Sequence, residues 1–175
     1  MKVEKTILPG VLIITPDVFG DARGFFIETF RTTRYEEIGI NEKFVQDNHS
    51  RSAHGVLRGM HFQKAHPQGK LLSVSYGKIF DVAADINPAS STFGKHVAIE
   101  LSDENHLQFY IPPGYAHGFC VLSEFADFHY KCTDFYVAND QHGVMWNDPL
   151  LNISWPIKNP SLSTQDQQWT NLPTK

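Results

Sequence analysis

Short apolar runs, each closed by a turn residue, recur along the whole chain. They cover residues 24–30, 44–48, 56–63, 70–76, 79–86, 96–101, 108–111, 117–122 and 125–133. Gly77 separates two of them, and glycine and proline are spread through the sequence rather than clustered. This rhythm predicts an all-β fold, an antiparallel sandwich or jelly-roll barrel of about ten strands. Helices are expected only at the margins. Thr33-x-x-Glu36 reads as a capping box before Ile38, with Gly39 as the stop. Ser163, after Pro160, is placed to cap a turn through Asp166 and Trp169.

Period-two alternation assigns faces within these strands. In 125–133 it sets Phe128, Tyr130 and Cys132 on one side and His129, Lys131 and Thr133 on the other. Tyr130 then shares the apolar, inward face. Arg58 and His61 have opposite parity, so a regular strand cannot aim both inward. Gly59 between them is the place for a bulge that re-aims one side chain.

Composition narrows the class. Hydrophobic residues make up 41% and charged residues 19%, which excludes a disordered chain. The longest apolar run is four residues, as in Val11-Leu12-Ile13-Ile14, whereas a membrane-spanning helix needs about 20. Met1-Lys2-Val3-Glu4-Lys5 leads into no apolar stretch, so no secretory signal is expected. Cys120 and Cys132 are too few for a disulfide framework, and a cytoplasmic setting follows as the expectation. The net charge of −4 argues against a nucleic-acid partner. With no linker, repeat or low-complexity stretch, residues 1–175 read as a single domain.

Two motifs carry chemistry. Pro112-Pro113-Gly114-Tyr115-Ala116-His117 contains P-x-G-x-x-H and resembles the second motif of the cupins, which are jelly rolls. Metal-binding cupins supply H-x-H and a carboxylate from their first motif. Here that stretch reads His61-Phe62-Gln63, and Lys70 stands near the carboxylate's place. A lysine ammonium repels a neighbouring metal ion and can itself stabilise an oxyanion. No metal is therefore expected. No G-x-G-x-x-G fingerprint is present, and no nicotinamide or other cofactor is expected.

Longer stretches sharpen the resemblance. They are Phe19-Gly20-Asp21-Ala22-Arg23-Gly24-Phe25-Phe26-Ile27-Glu28, Phe44-Val45-Gln46-Asp47-Asn48, Val56-Leu57-Arg58-Gly59-Met60-His61, Thr92-Phe93-Gly94-Lys95, the 111–119 motif and Trp146-Asn147-Asp148-Pro149. Together they closely resemble the dTDP-4-dehydrorhamnose 3,5-epimerases, cupin-fold enzymes of dTDP-L-rhamnose synthesis. The resemblance implies His61 as general base, Asp166 as the carboxylate that orients it, Tyr130 as general acid and Lys70 at the C4 oxygen. It further implies substrate contacts from Arg23, Glu28, Gln46, Asp47, Asn48, Arg58 and His117, with Tyr136 stacked on the thymine. Gln141 and Gln165 depart from the family pattern, where Glu and Lys are common. The implied substrate is a dTDP-sugar. The implied assembly is a homodimer in which an N-terminal strand, with 11–14 the candidate, adds to the partner's sheet.

Hydrogens on C3 and C5 of a 4-keto sugar are acidic because both flank the carbonyl. An imidazole, with a reference pKa near 6.5, suits their removal. A lysine suits the enolate oxygen, and inversion needs a donor on the opposite face. Two other readings compete. One is a sugar-nucleotide 3-epimerase or 3,4-ketoisomerase. The other is a metal-dependent cupin dioxygenase or a non-catalytic sugar-binding cupin.

Overall fold

The computed structural model describes residues 1–173. Two antiparallel sheets form a cupin-type jelly-roll sandwich. The six-stranded sheet runs β1 (Lys2–Lys5), β2 (Leu12–Thr15), β10 (Gln108–Ile111), β7 (Lys70–Tyr76), β12 (Phe125–Cys132) and β5 (Gln46–Ala53) in spatial order. The five-stranded sheet runs β13 (Gln141–Gly143), β6 (Leu57–Gln63), β11 (Tyr115–Val121), β8 (Lys78–Asp85) and β9 (His96–Ser102). A separate hairpin, β3 (Val18–Asp21) with β4 (Gly24–Ile27), stands apart from both sheets.

Alternation explains what fills the space between the sheets. Leu72, Val74, Phe109, Ile111, Ala126 and Phe128 from one sheet meet Ile79, Ala83, Leu101, Phe119 and Val121 from the other. Each large apolar side chain so buried contributes about 1.5–3 kcal/mol. The opposite face of the six-stranded sheet is covered locally by α1 (Thr32–Glu36), whose Tyr35 packs with Leu12, Ile14, Leu71 and Tyr110. The single Tyr35 O–H has the Thr29 carbonyl at 2.9 Å and the Gln108 amide oxygen as acceptors, so the buried hydroxyl is matched.

Three details differ from expectation. Thr33 is not the helix cap. Arg31 is the N-cap residue, in extended conformation, and no side chain bonds the helix start, because the helix begins two residues before the expected box allows. Gly39 does end the helix, with φ +92. Second, the apolar segment 11–14 is not free to join a partner. β2 is paired with β1 on one edge and with β10 on the other, so both rows of its backbone groups are already used within this chain. Third, β1, β3 and β13 were not anticipated. Each is four residues or fewer and carries no alternating apolar face.

Candidate active site

A cavity of about 260 Å³ opens between the two sheets at the end where β6, β7, β11 and β12 meet. Its walls include Arg58, His61, Gln63, Lys70, His117, Tyr130 and Tyr136. The anticipated bulge brings the first two together. His61 lies opposite His117 and Arg58 opposite Phe119, so three steps along β6 match two along β11. Gly59 makes this possible. It has φ +134, and a Cβ there would sit 2.5 Å from the Gly118 Cα. Only glycine accommodates both the conformation and the approach of the two backbones.

His61 comes from the five-stranded sheet, whereas Tyr130 and Lys70 come from the six-stranded one. The imidazole and the phenol therefore reach the cavity from different sheets. His61 Nε2 lies 2.5 Å from Asp166 Oδ1. Asp166 is buried, and the turn that carries it is capped by Ser163, whose hydroxyl accepts the Asp166 N–H at 3.0 Å, as the sequence suggested. Burial alone would push the Asp166 carboxyl up. Hydrogen bonds from His61, Trp169 and Ser163, with the charge of His61, outweigh that and hold it below the usual carboxylate range. Such a carboxylate fixes which imidazole nitrogen carries the proton.

Burial lowers the Lys70 ammonium pKa, against the pull of Cys132 and Asp81. Burial also raises the Tyr130 phenol, with Cys132 adding to the rise and Arg58 opposing it. The phenol thus keeps its proton at neutral pH, as a donor must.

Sequence reasoning missed three residues here. Asp81 is fully buried, and both its oxygens lie 3.0 Å from His117 Nε2. A carboxylate in the middle of the apolar run 79–86 was the available signal, since such a charge needs a buried partner. Gln63 was noted only for what it is not. Its amide donates to the His66 and Phe135 carbonyls at 2.7 and 3.1 Å and accepts the Val137 N–H at 2.8 Å. It fastens the loop that presents Tyr136 at the cavity mouth. Trp169 donates its indole N–H to Asp166 Oδ1 at 3.1 Å.

The remaining expected site residues divide. Gln46 and Asn48 share the inner face of β5. Gln46 accepts the Tyr136 N–H at 2.9 Å, and its amide donates to Asn48 Oδ1. Tyr136 is half exposed, with its hydroxyl bonded to Gln141 at 2.5 Å. Asp47 has the opposite parity and is held on the outer face by Lys131, at 2.9 and 3.0 Å. Arg23 is at the tip of the β3–β4 hairpin, paired with Asp21, its side chain 89% exposed. Glu28 is bound to Arg34 and Arg31. None of Gln46, Asn48, Asp47, Arg23 and Glu28 lines this cavity; Gln46 reaches its edge only through the Tyr136 N–H.

Known proteins resemble this chain over nearly its whole length. Residues 5–174 match the family described as dTDP-4-dehydrorhamnose 3,5-epimerase. A protein of that name from Shigella flexneri is 52% identical over 168 residues, 95% of this chain and 93% of its own. A dTDP-4-dehydrorhamnose 3-epimerase from Streptomyces niveus is 36% identical, covering 95% of this chain and 82% of its own. Among solved structures, a 3,5-epimerase from Legionella pneumophila in complex with dTDP-4-keto-L-rhamnose superimposes with a TM-score of 0.95 at 50% identity. That match covers 98% of this chain and 92% of the other. The jelly roll, the paired His61 and Asp166 facing Tyr130 and Lys70, and a family match that leaves out only a few terminal residues agree: this chain belongs to the dTDP-4-dehydrorhamnose 3,5-epimerase family.

Proposed function

We propose that the protein epimerises dTDP-4-keto-6-deoxy-D-glucose at C3 and C5 to dTDP-4-keto-L-rhamnose, in dTDP-L-rhamnose synthesis. The observation that carries this reading is the placement of His61 and Tyr130 on opposite sheets across one cavity. His61 Nε2 is engaged by Asp166, which leaves Nδ1 as the basic nitrogen. It takes the proton from C3 or C5, and the electron pair passes into the carbonyl to give an enolate. Lys70 stabilises the negative O4, the term that is usually largest in such reactions. Tyr130 returns a proton to the far face, and the centre is inverted. Asp81 holds His117 in one tautomer beside Lys70, so the sugar meets a fixed set of donors. Arg58 serves the diphosphate and Tyr136 the thymine.

Arg23 and Glu28 enter this scheme only from a second copy. Arg23 sits on a hairpin whose Phe19, Phe25 and Phe26 are 62–67% exposed, more apolar surface than a single chain has reason to display. A homodimer that lays this hairpin across the partner's cavity covers those rings and delivers Arg23 to a diphosphate. Both cysteines are buried and unpaired, as a cytoplasmic enzyme allows.

Lysine in place of a metal sets the test. Incubation with the 4-keto sugar nucleotide gives the L-rhamno product at an undiminished rate after exhaustive chelation. Activity that disappears with a chelator and returns with a divalent ion contradicts the scheme and favours a metal-dependent cupin. The 3-epimerase reading has the Streptomyces niveus relative in its favour, and a count of exchanged centres separates the two.

A further inference from the structure

Trp169 has no part in the scheme above, yet its indole reaches the catalytic dyad. Its N–H lies 3.1 Å from Asp166 Oδ1, the same oxygen that His61 engages at 2.5 Å. Its ring stands edge-on to the imidazole, centroids 6.2 Å apart at 72°. Gly143, directly opposite His61 in the β6–β13 pair, is what admits the ring. A Cβ there would lie 2.4–2.5 Å from three indole atoms. The segment is tied down on both sides, Met145 N–H to the Thr170 carbonyl at 3.1 Å and Leu172 N–H to Asp148 at 2.7 Å.

We infer that Trp169 is a positioning residue that sets the strength of the base through Asp166. An indole is a donor only and does not titrate, so this second bond to Oδ1 is present at every pH. Shared between two donors, the oxygen binds the imidazolium less firmly than a carboxylate with one donor would. That matters for an enzyme that uses one base at two carbons. His61 must give up its first proton before taking the second, and a dyad that clings to the proton stalls between the two inversions. The ring also closes the carboxylate from water, which keeps the pair strong enough to fix the tautomer. The other charged or titratable groups around the cavity are Arg58 on β6, His117 on β11, Asp81 on β8, Lys70 on β7, Tyr130 on β12 and Tyr136 on the loop after it. None of them donates to Asp166.

Trp169→Phe keeps the ring and removes the donor. It lowers kcat at neutral pH about three- to tenfold, leaves KM within about twofold and moves the acidic limb of kcat/KM up by about half a unit or more, as loss of a hydrogen bond to a charged group implies. A profile superimposable on that of the unaltered enzyme overturns the inference and leaves the indole as packing. The second measurement needs no variant to be stable or active. In 15N-indole-labelled protein, the Trp169 N–H resonance shifts with the protonation of the dyad. A resonance that ignores pH while the His61 ring titrates overturns the inference as well. The kinetic arm rests on the epimerase reading and the spectroscopic arm does not. Failure of turnover with a titrating indole therefore counts against the function, and a silent indole in an active enzyme counts against Trp169.

Discussion

In the proposed scheme Tyr130 holds its proton until an enolate has formed. Burial raises the phenol, and the nearby Cys132 adds to the rise. Tyr130→Phe removes the donor without opening a cavity. It abolishes the C5-inverted product and retains solvent exchange at C3, read by mass spectrometry and NMR of recovered sugar nucleotide. Normal yield of the L-rhamno product from this variant would remove Tyr130 from the mechanism. Strand alternation made the inward face of Tyr130 legible in the sequence, and motif spacing did the same for His61, Lys70 and His117. The family resemblance assigned the roles, and the geometry is consistent with them. Asp81 and Trp169 were not legible as site residues. Asp81 meets His117 36 positions away, and Trp169, although only three positions from Asp166, matters through a dyad whose halves are 105 positions apart. A carboxylate in an apolar run signals that Asp81 needs a buried partner, but not which residue that partner is.

At the scale of elements, the β6 bulge does the most. Gly59→Ala places a side chain in a conformation that costs about 1–3 kcal/mol by itself, and its Cβ collides with the Gly118 backbone. The variant melts several degrees lower and loses more kcat than that destabilisation explains, because Arg58 and His61 no longer share the cavity. An unchanged Tm shows the bulge to be dispensable. The β5–β12 pair predicts a pH effect. Asp127 is held down to about 2, first by its hydrogen bond to Arg51 and then by His49. A carboxyl depressed in the folded state stabilises above its ordinary value, near 3.8, and loses that contribution as pH falls toward about 2. Asp127→Asn is therefore less stable than the parent at pH 6, and the two denaturation curves converge near pH 2. A constant gap down to pH 2 contradicts this. Ten strands, β2 and β4 to β12, were legible in the sequence because they alternate or run apolar between turn residues. The short β1, β3 and β13 have neither property. The capping box failed because a four-residue pattern fixes a helix start only to within a residue or two.

For the whole molecule, the question is where Arg23 works. Its own cavity does not include it, although the resemblance places it at the substrate, so the sequence showed the residue and not the chain it serves. If each cavity is completed by the other copy's hairpin, two inactive variants repair one another. His61→Ala and Arg23→Ala are each nearly inactive. In a mixed dimer, one site combines both defects and the other has neither. Refolding the two together at equal amounts restores roughly a quarter of the parent activity. No recovery, with mixed dimers shown to form, places Arg23 outside the partner's site. A monomer in solution does the same. The sheets themselves need no partner to hold their core. Phe109 is fully buried between them, and Phe109→Ala costs about 3–5 kcal/mol.

The central claim is that one base, one enolate-stabilising lysine and one acid invert two carbons in a single cavity. It is tested most directly by running the reaction in deuterated water and locating the label in the product. Both C3 and C5 lose their original hydrogen to His61, and the inverted centres take up solvent deuterium. The account predicts two deuterium atoms per product molecule, one at C3 and one at C5. Label at C3 alone contradicts it and makes the protein a 3-epimerase.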